Sequence, residues 1–217
     1  MRGEAFIRWS WIADHADDIW SRTVEHVQLT GIAVGVGFAI ALGLSIVALC
    51  LPRAYAPISW VTGVLYTIPS LALFTLLASY TGLTKLTAEI GLVSYTLLIL
   101  LRNIVTGVRG VPAPVREAAV AMGYRPTAMF LRIELPLALP VVVAGLRIAT
   151  VTIVGLVTVT ALIGQGGYGF FILDGLRRDF TTPLVTGCLL SIALAAVFDL
   201  ALVGAERALT PWARRAR

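Results

Sequence analysis

The chain has 217 residues, of which 58% are hydrophobic and only 13% charged, too little polar surface to coat a water-soluble globule of this length. Its net charge of +5 does not mark a nucleic-acid binder, because the basic residues stand at the ends of apolar runs and form no single patch. Composition therefore excludes an ordinary soluble domain and makes a lipid bilayer the solvent for most side chains.

In chain order, residues 5 to 26 come first. Phe6, Trp9, Trp11, Ile12, Ile19 and Trp20 are set among charges, which predicts a helix lying in the outer headgroup layer with tryptophans as anchors. Asp14, Asp17, Asp18 and Glu25 are foreign to the basic start of a cleaved signal peptide, so the apolar run that follows is expected to be a retained span. His15 and His26 read as solvated side chains of this polar segment, and no metal site is expected.

Five spans follow: about Val27 to Leu51, Pro57 to Tyr80, Ala88 to Val108, Pro136 to Leu162, and Pro183 to Glu206. Between Glu25 and Arg53 lie 27 residues with one His, and between Arg53 and Lys85 lie 31 with no ionisable group but tyrosine. Gly31 and Gly35 on the first span form a small-xxx-small pair that lets another helix approach. The third span is the weakest, because Glu89 and Arg102 bracket just twelve uncharged residues; it works if both side chains reach toward the interfaces. Cys50 and Cys188 lie inside apolar runs and read as small hydrophobes.

An odd number of spans puts the termini on opposite sides. Counting Lys and Arg in the flanking segments gives ten on the C-terminal side and six on the other, so the N-terminus is expected outside and the C-terminus in the cytoplasm. The chain divides into an extracytoplasmic segment over 1–26, a membrane domain over 27–206 with a cytoplasmic loop over 109–135, and a cytoplasmic tail over 207–217.

That loop has readable punctuation. Pro112 and Pro114 pre-set a helix start, Glu117 lies in early turns where the positive helix end favours an acid, and Gly123 supplies the stop. A short helix over about Pro114 to Met122 follows, kept slender by Ala118, Ala119 and Ala121, so that it fits a groove on another protein. A second helical stretch starts at Arg125-Pro126 and ends at Leu135-Pro136, where the fourth span begins.

The same loop resembles the signature of ABC-importer permeases: Glu-Ala-Ala, three residues, Gly, nine residues, then Ile-x-Leu-Pro. Here these are Glu117, Ala118, Ala119, Gly123, Ile133, Leu135 and Pro136, with every spacing kept. The resemblance implies that the loop inserts into a cleft of a cytoplasmic ATPase, with Arg116, Met122 and Tyr124 joining the signature residues in the coupling surface. "YTIPSLALF" on the second span, "AGLRIATV" on the fourth and "ALIGQGGYGFFI" after it resemble the subfamily importing glycine betaine, carnitine and choline. Methionine and other amino-acid permeases share parts of these motifs and supply the alternative.

What the resemblance implies is an all-α membrane protein of five transmembrane helices with the type I ABC importer permease architecture, similar to the methionine permeases. It would be a non-catalytic subunit in a bacterial inner membrane, with no cofactor of its own and ATP bound by a partner. Its expected partners are ATPase subunits, a second permease subunit, identical or different, and an extracytoplasmic solute-binding protein that reaches the loops near Gly164 to Phe180. The bilayer surrounds it, and nucleic acid is not among the partners.

Remaining signals are weighed against that reading. Gly164, Gly166 and Gly169 match a dinucleotide pattern by letter but lack its strand, helix and acid, so they are expected to form a tight turn. Lys85, the one lysine, sits in no phosphate-binding loop. Intramembrane catalysis finds no cluster of nucleophile and base, and a self-sufficient carrier finds no inverted repeat. Arg147 lies roughly 16 Å into the fourth span at about 1.5 Å per residue, and Asp199 is its candidate partner, as a pathway or gating pair or as a structural ion pair. Tyr66, Ser70 and Tyr95, with Trp60 nearby, complete the candidate pathway set, since aromatic faces suit a quaternary ammonium in transit and equally suit packing.

Overall fold

The computed structural model describes residues 7–214, and every regular element among them is helical. Phe6, with the rest of residues 1–6, and the last three residues of the tail over 207–217 lie outside the described residues. In chain order the elements are α1 (Trp9–Asp14), α2 (Ala16–Cys50), α3 (Tyr55–Thr67), α4 (Ser70–Thr81), α5 (Lys85–Arg109), α6 (Ala113–Ala121), α7 (Pro126–Met129), α8 (Leu135–Val159), α9 (Gly169–Arg177) and α10 (Thr181–Leu209). Four helical stretches are long and apolar enough to cross a membrane, and counting the bent pair α3 and α4 as one broken span gives five.

The third span, the least apolar by sequence, is the centre of the bundle. α5 packs against α2, α3, α4 and α8, and 56% of its most apolar stretch is buried, against 28% for α2 and none for α10. A helix enclosed by protein needs fewer lipid-facing apolar residues, which is why its apolar run is short. Leu92, Leu100 and Leu101 are fully buried there. Of the two bracketing charges, Arg102 is exposed, whereas the Glu89 carboxylate oxygens are buried with no hydrogen-bond partner among the described residues.

α2 is longer than its apolar run. Its 35 residues extend roughly 52 Å at about 1.5 Å each, so Ala16 to His26 continue the first span and do not form a separate surface helix. The break comes earlier, at His15. α1 folds back against the far end of the chain: the Trp11 ring meets Phe171 and Phe180 edge-on at 5.9 and 6.0 Å, and Arg8 N–H donates to Thr182 Oγ1 at 3.0 Å. Trp9 and Trp20 remain exposed, as belt residues would be. His26, expected in solvent, is 0% exposed. Gly31 and Gly35 have no heavy atom of this chain near the place of a Cβ; the close approach of α2 to α5 is made at Gly37, where any Cβ would overlap the Thr96 side chain.

The second span is broken where one continuous helix was expected, with α3 and α4 meeting at 94°. Pro69 explains the break: it pushes Ile68 out of the helical region, to ψ 127°, and offers no N–H to continue the ladder. The fourth span shows the opposite departure. It runs unbroken over Pro126–Ile163, because a π-turn over Phe130–Glu134 joins α7 to α8, with Leu135 N–H bonded to the Phe130 carbonyl. The extra residue in that turn carries the helix past Pro136, and Pro140 is accommodated inside α8.

Candidate functional site

The loop between α5 and α8 carries the signature residues. α6 begins at Ala113, one position before the expected start, with Pro112 as its N-cap. It ends in a Schellman arrangement: Tyr124 N–H donates to the Ala119 carbonyl at 3.1 Å and Gly123 N–H to the Val120 carbonyl at 2.9 Å. That pair of bonds needs a left-handed residue at the turn, and Gly123 supplies it with φ +77°. No atom crowds the place of a Cβ there, so the backbone angle is what requires glycine.

The sides of α6 divide cleanly. Glu117, Ala118, Ala121, Met122 and Gly123 are exposed, and Val120 beside them is exposed as well. Ala119 is buried. Tyr124, Ile133, Leu135 and Pro136 are half-buried. The result is a narrow projecting ridge of small and flexible side chains with one acid.

Arg116 reaches toward the bundle from this helix. Its Nη2 donates to the Val108 carbonyl at 2.6 Å, one of the carbonyls that the last turn of α5 leaves without an intrahelical partner. Its Nε lies 2.9 Å from Glu134 Oε1 without making a hydrogen bond, so charge attraction holds the pair. Glu134 occupies the open position of the Ile-x-Leu-Pro stretch, and nothing in the sequence alone marks it as a partner of Arg116. Together they fasten α6 to both helices that it connects. Beside Arg116, a half-open cavity of about 580 Å³ is lined by Leu49, Arg109, Phe130 and Glu134 among others.

The five candidate pathway residues separate into two groups. Tyr66 and Tyr95 meet at the break in the second span, with ring centroids 5.9 Å apart and planes at 70°. Tyr95 is buried and its hydroxyl donates to the Ile68 carbonyl at the break, while Tyr66 is 38% exposed. Ser70 starts α4 immediately after the bend. Trp60 is exposed and outside this group. Arg147 and Asp199 join α8 to α10 instead: Nε donates to Oδ1 at 2.7 Å and Nη2 to Oδ2 at 3.0 Å, with Glu206 at 3.9 Å from Nη1. This fork pairs a membrane charge bidentately, and it lies on a helix that packs on α8 and α9, away from the bend. Among the described residues no group of His, Cys, Asp and Glu is placed to hold a metal.

A family model described as "Binding-protein-dependent transport system inner membrane component" matches residues 33–211. The choline transport system permease protein OpuBB of Bacillus subtilis (strain 168) is 35% identical over 190 residues, 88% of this chain and 88% of that protein. The osmoprotectant import permease protein OsmW of Salmonella typhimurium is 32% identical over 206 residues, 93% of this chain and 96% of its own length. Among solved structures, an inward-facing form of the MetNI methionine ABC transporter superposes with a TM-score of 0.76 at 21% identity, covering 94% of this chain and 100% of the other.

Proposed function

The chain belongs to the family of binding-protein-dependent transport system inner membrane components, and from that premise we propose that this ABC-importer permease moves quaternary-ammonium osmoprotectants such as choline, glycine betaine and carnitine. The relatives over most of its length carry those solutes in their names. The reading as a methionine or other amino-acid permease draws on a likeness of fold alone, at 21% identity, and is the weaker one.

In this mechanism the permease pairs with a second permease subunit, of the same or another sequence, and two ATPase subunits dock from the cytoplasm and bind all the ATP. The C-terminus and the loop over 109–135 face that side, with the N-terminus outside. The observation that carries the mechanism is the build of α6. Glu117, Ala118, Met122 and Gly123 project outward, while Arg116 is held by the Val108 carbonyl and by Glu134. A push on the ridge by closing ATPases therefore reaches α5 and the head of α8 through Arg116 as well as through the connecting chain. Ala119, Tyr124, Ile133, Leu135 and Pro136 shape the base of the ridge.

At the bend of the second span, Tyr66, Ser70 and Tyr95 line the proposed path. The carboxyl end of α3 turns its last carbonyls and the partial negative charge of a helix terminus toward the same place as the Tyr66 ring, a setting that favours a weakly hydrated cation. Arg147 and Asp199 lock α8 to α10 and leave the path uncharged.

The test is uptake by the complex purified from its native membrane and reconstituted into vesicles with the ATPase and binding protein that co-purify. Radiolabelled choline or glycine betaine should accumulate in an ATP-dependent manner and be displaced by excess of the other solute, with methionine having no effect. Displacement by methionine and indifference to choline, glycine betaine and carnitine would refute the solute assignment.

A further inference from the structure

The GxGxxG-like turn after the fourth span and the histidine at the head of the first span, unrelated in sequence, close on one another. Gly166 N–H donates to Glu25 Oε1 at 3.1 Å, Tyr168 N–H to His26 Nδ1 at 3.3 Å, and the Tyr168 hydroxyl lies 2.9 Å from Thr23 Oγ1. On its other side the His26 ring bonds the Val154 carbonyl of α8 through Nε2 at 3.0 Å. A backbone N–H can only donate and a carbonyl can only accept, so the ring is fixed with its proton on Nε2. Arg22 completes the junction. It pairs with Glu25 at 2.7 Å and lies over the Phe170 ring at 4.2 Å.

The turn is cut to fit. Gly167 sits at φ +48°, and a Cβ there would lie 2.6 Å from the His26 Cβ and 2.9 Å from the Arg22 carbonyl, so no other residue lets the loop lie this close to α2. Immediately after the turn comes α9, whose end presents Leu176, Arg177 and Arg178 to the exterior of the bundle. α9 rests on α10, where Gly187 admits Tyr168 and Ile172, and on α8, where Gly169 lies against the Thr158 backbone; among the described residues it reaches α2 through this junction.

We propose that Glu25 and His26 are positioning residues that latch the 164–168 turn, and with it α9, to the first span, so that the outer surface met by the solute-delivering protein moves as one body with α2. The inference rests on the importer reading above, which places this end of the bundle outside. The mechanical route is contiguous. α6 is held to α5 by Arg116, α5 lies against α2 at Thr96 and Gly37, and α2 carries the latch at Glu25 and His26. A receiving surface carried by α2 shifts in step with that helix, whereas an α9 held by α8 and α10 alone follows those two helices instead.

The test uses the intact complex with its co-purified ATPase and binding protein. Two quantities are read: hydrogen exchange at the amides of Gly166 and Tyr168, and ATPase stimulation as a function of binding-protein concentration. In the wild type both amides should exchange slowly. Glu25→Ala should release the Gly166 amide and His26→Leu the Tyr168 amide by about tenfold, the equivalent of one lost hydrogen bond. Each should also raise the half-saturating binding-protein concentration by about the same factor with the saturated ATPase rate retained. Glu25→Gln keeps an acceptor for Gly166 N–H and should behave as wild type in both readouts, which a general loss of folding does not allow. Fast exchange of both amides in the wild type would overturn the proposal. So would faster exchange in Glu25→Ala at an unchanged half-saturating concentration. Neither readout depends on which solute is carried, so failure of choline and betaine uptake counts against the solute assignment alone.

Discussion

Gly123 shows how much a single backbone angle can decide. Its φ of +77° closes the turn that ends α6, and a side chain there costs about 1 to 2 kcal/mol of left-handed strain. The space around it is open, so Gly123→Asp should leave the membrane bundle intact while misplacing the ridge and adding a charge to it. Glu117→Lys reverses the one charge on the exposed side of the helix. Both variants should insert normally and hydrolyse ATP in complex, yet import solute at about one tenth of the wild-type rate or less, if each removes about 1.4 kcal/mol of coupling. Uptake assays paired with ATPase assays check this, and normal uptake in both would refute the role of the ridge. These residues were legible because their chemistry is local: proline before the helix, glycine after it and fixed spacing between. Arg116, Glu134 and His26 were not. Their partners lie 18, 18 and more than 120 positions away, and a polar residue whose partner is distant in sequence looks the same as one facing water.

At the scale of elements, proline had opposite effects that depend on the surrounding helix. Pro69 breaks the second span by 94°, with the Tyr95 hydroxyl supplying the missing partner for Ile68, whereas Pro136 and Pro140 sit within a fourth span that a π-turn keeps continuous. Composition and period place both spans but carry no information on which proline bends the chain, since that is settled by neighbours on α5 and by the register of the turn. The third span teaches a related lesson. Its charges make it look marginal, and it proves to be the helix with the most protein around it. If the bend lines the path, straightening it should obstruct transport. Pro69→Ala restores an amide and favours helix by about 3 kcal/mol, and Tyr95→Phe leaves the Ile68 carbonyl unpaired at a cost of about 1 to 3 kcal/mol. Both should lower the number of solute molecules moved per ATP hydrolysed, measured in reconstituted vesicles. Wild-type ratios in both would remove the bend from the path.

For the whole molecule, the apolar stretches that supply four candidate spans, or five with the bent pair, the helical class and the family were all accessible from the chain itself, because a bilayer imposes length and polarity rules that few sequences satisfy by accident. The extent of α2 was not, since Ala16 to His26 are polar enough to suggest a surface segment, yet they continue the same helix and carry the latch at Glu25 and His26. The proposed mechanism requires one spatial relation, that the ridge of α6 meets an ATPase in the cytoplasm. The direct measurement is cross-linking from Met122, which is 68% exposed, as Met122→Cys in a background where Cys50 and Cys188 are replaced by serine. In intact cells the new thiol should resist a membrane-impermeant maleimide, and in the isolated complex a short bifunctional reagent should join it to the ATPase subunit. Modification from outside the cell, with no ATPase adduct, would contradict the account.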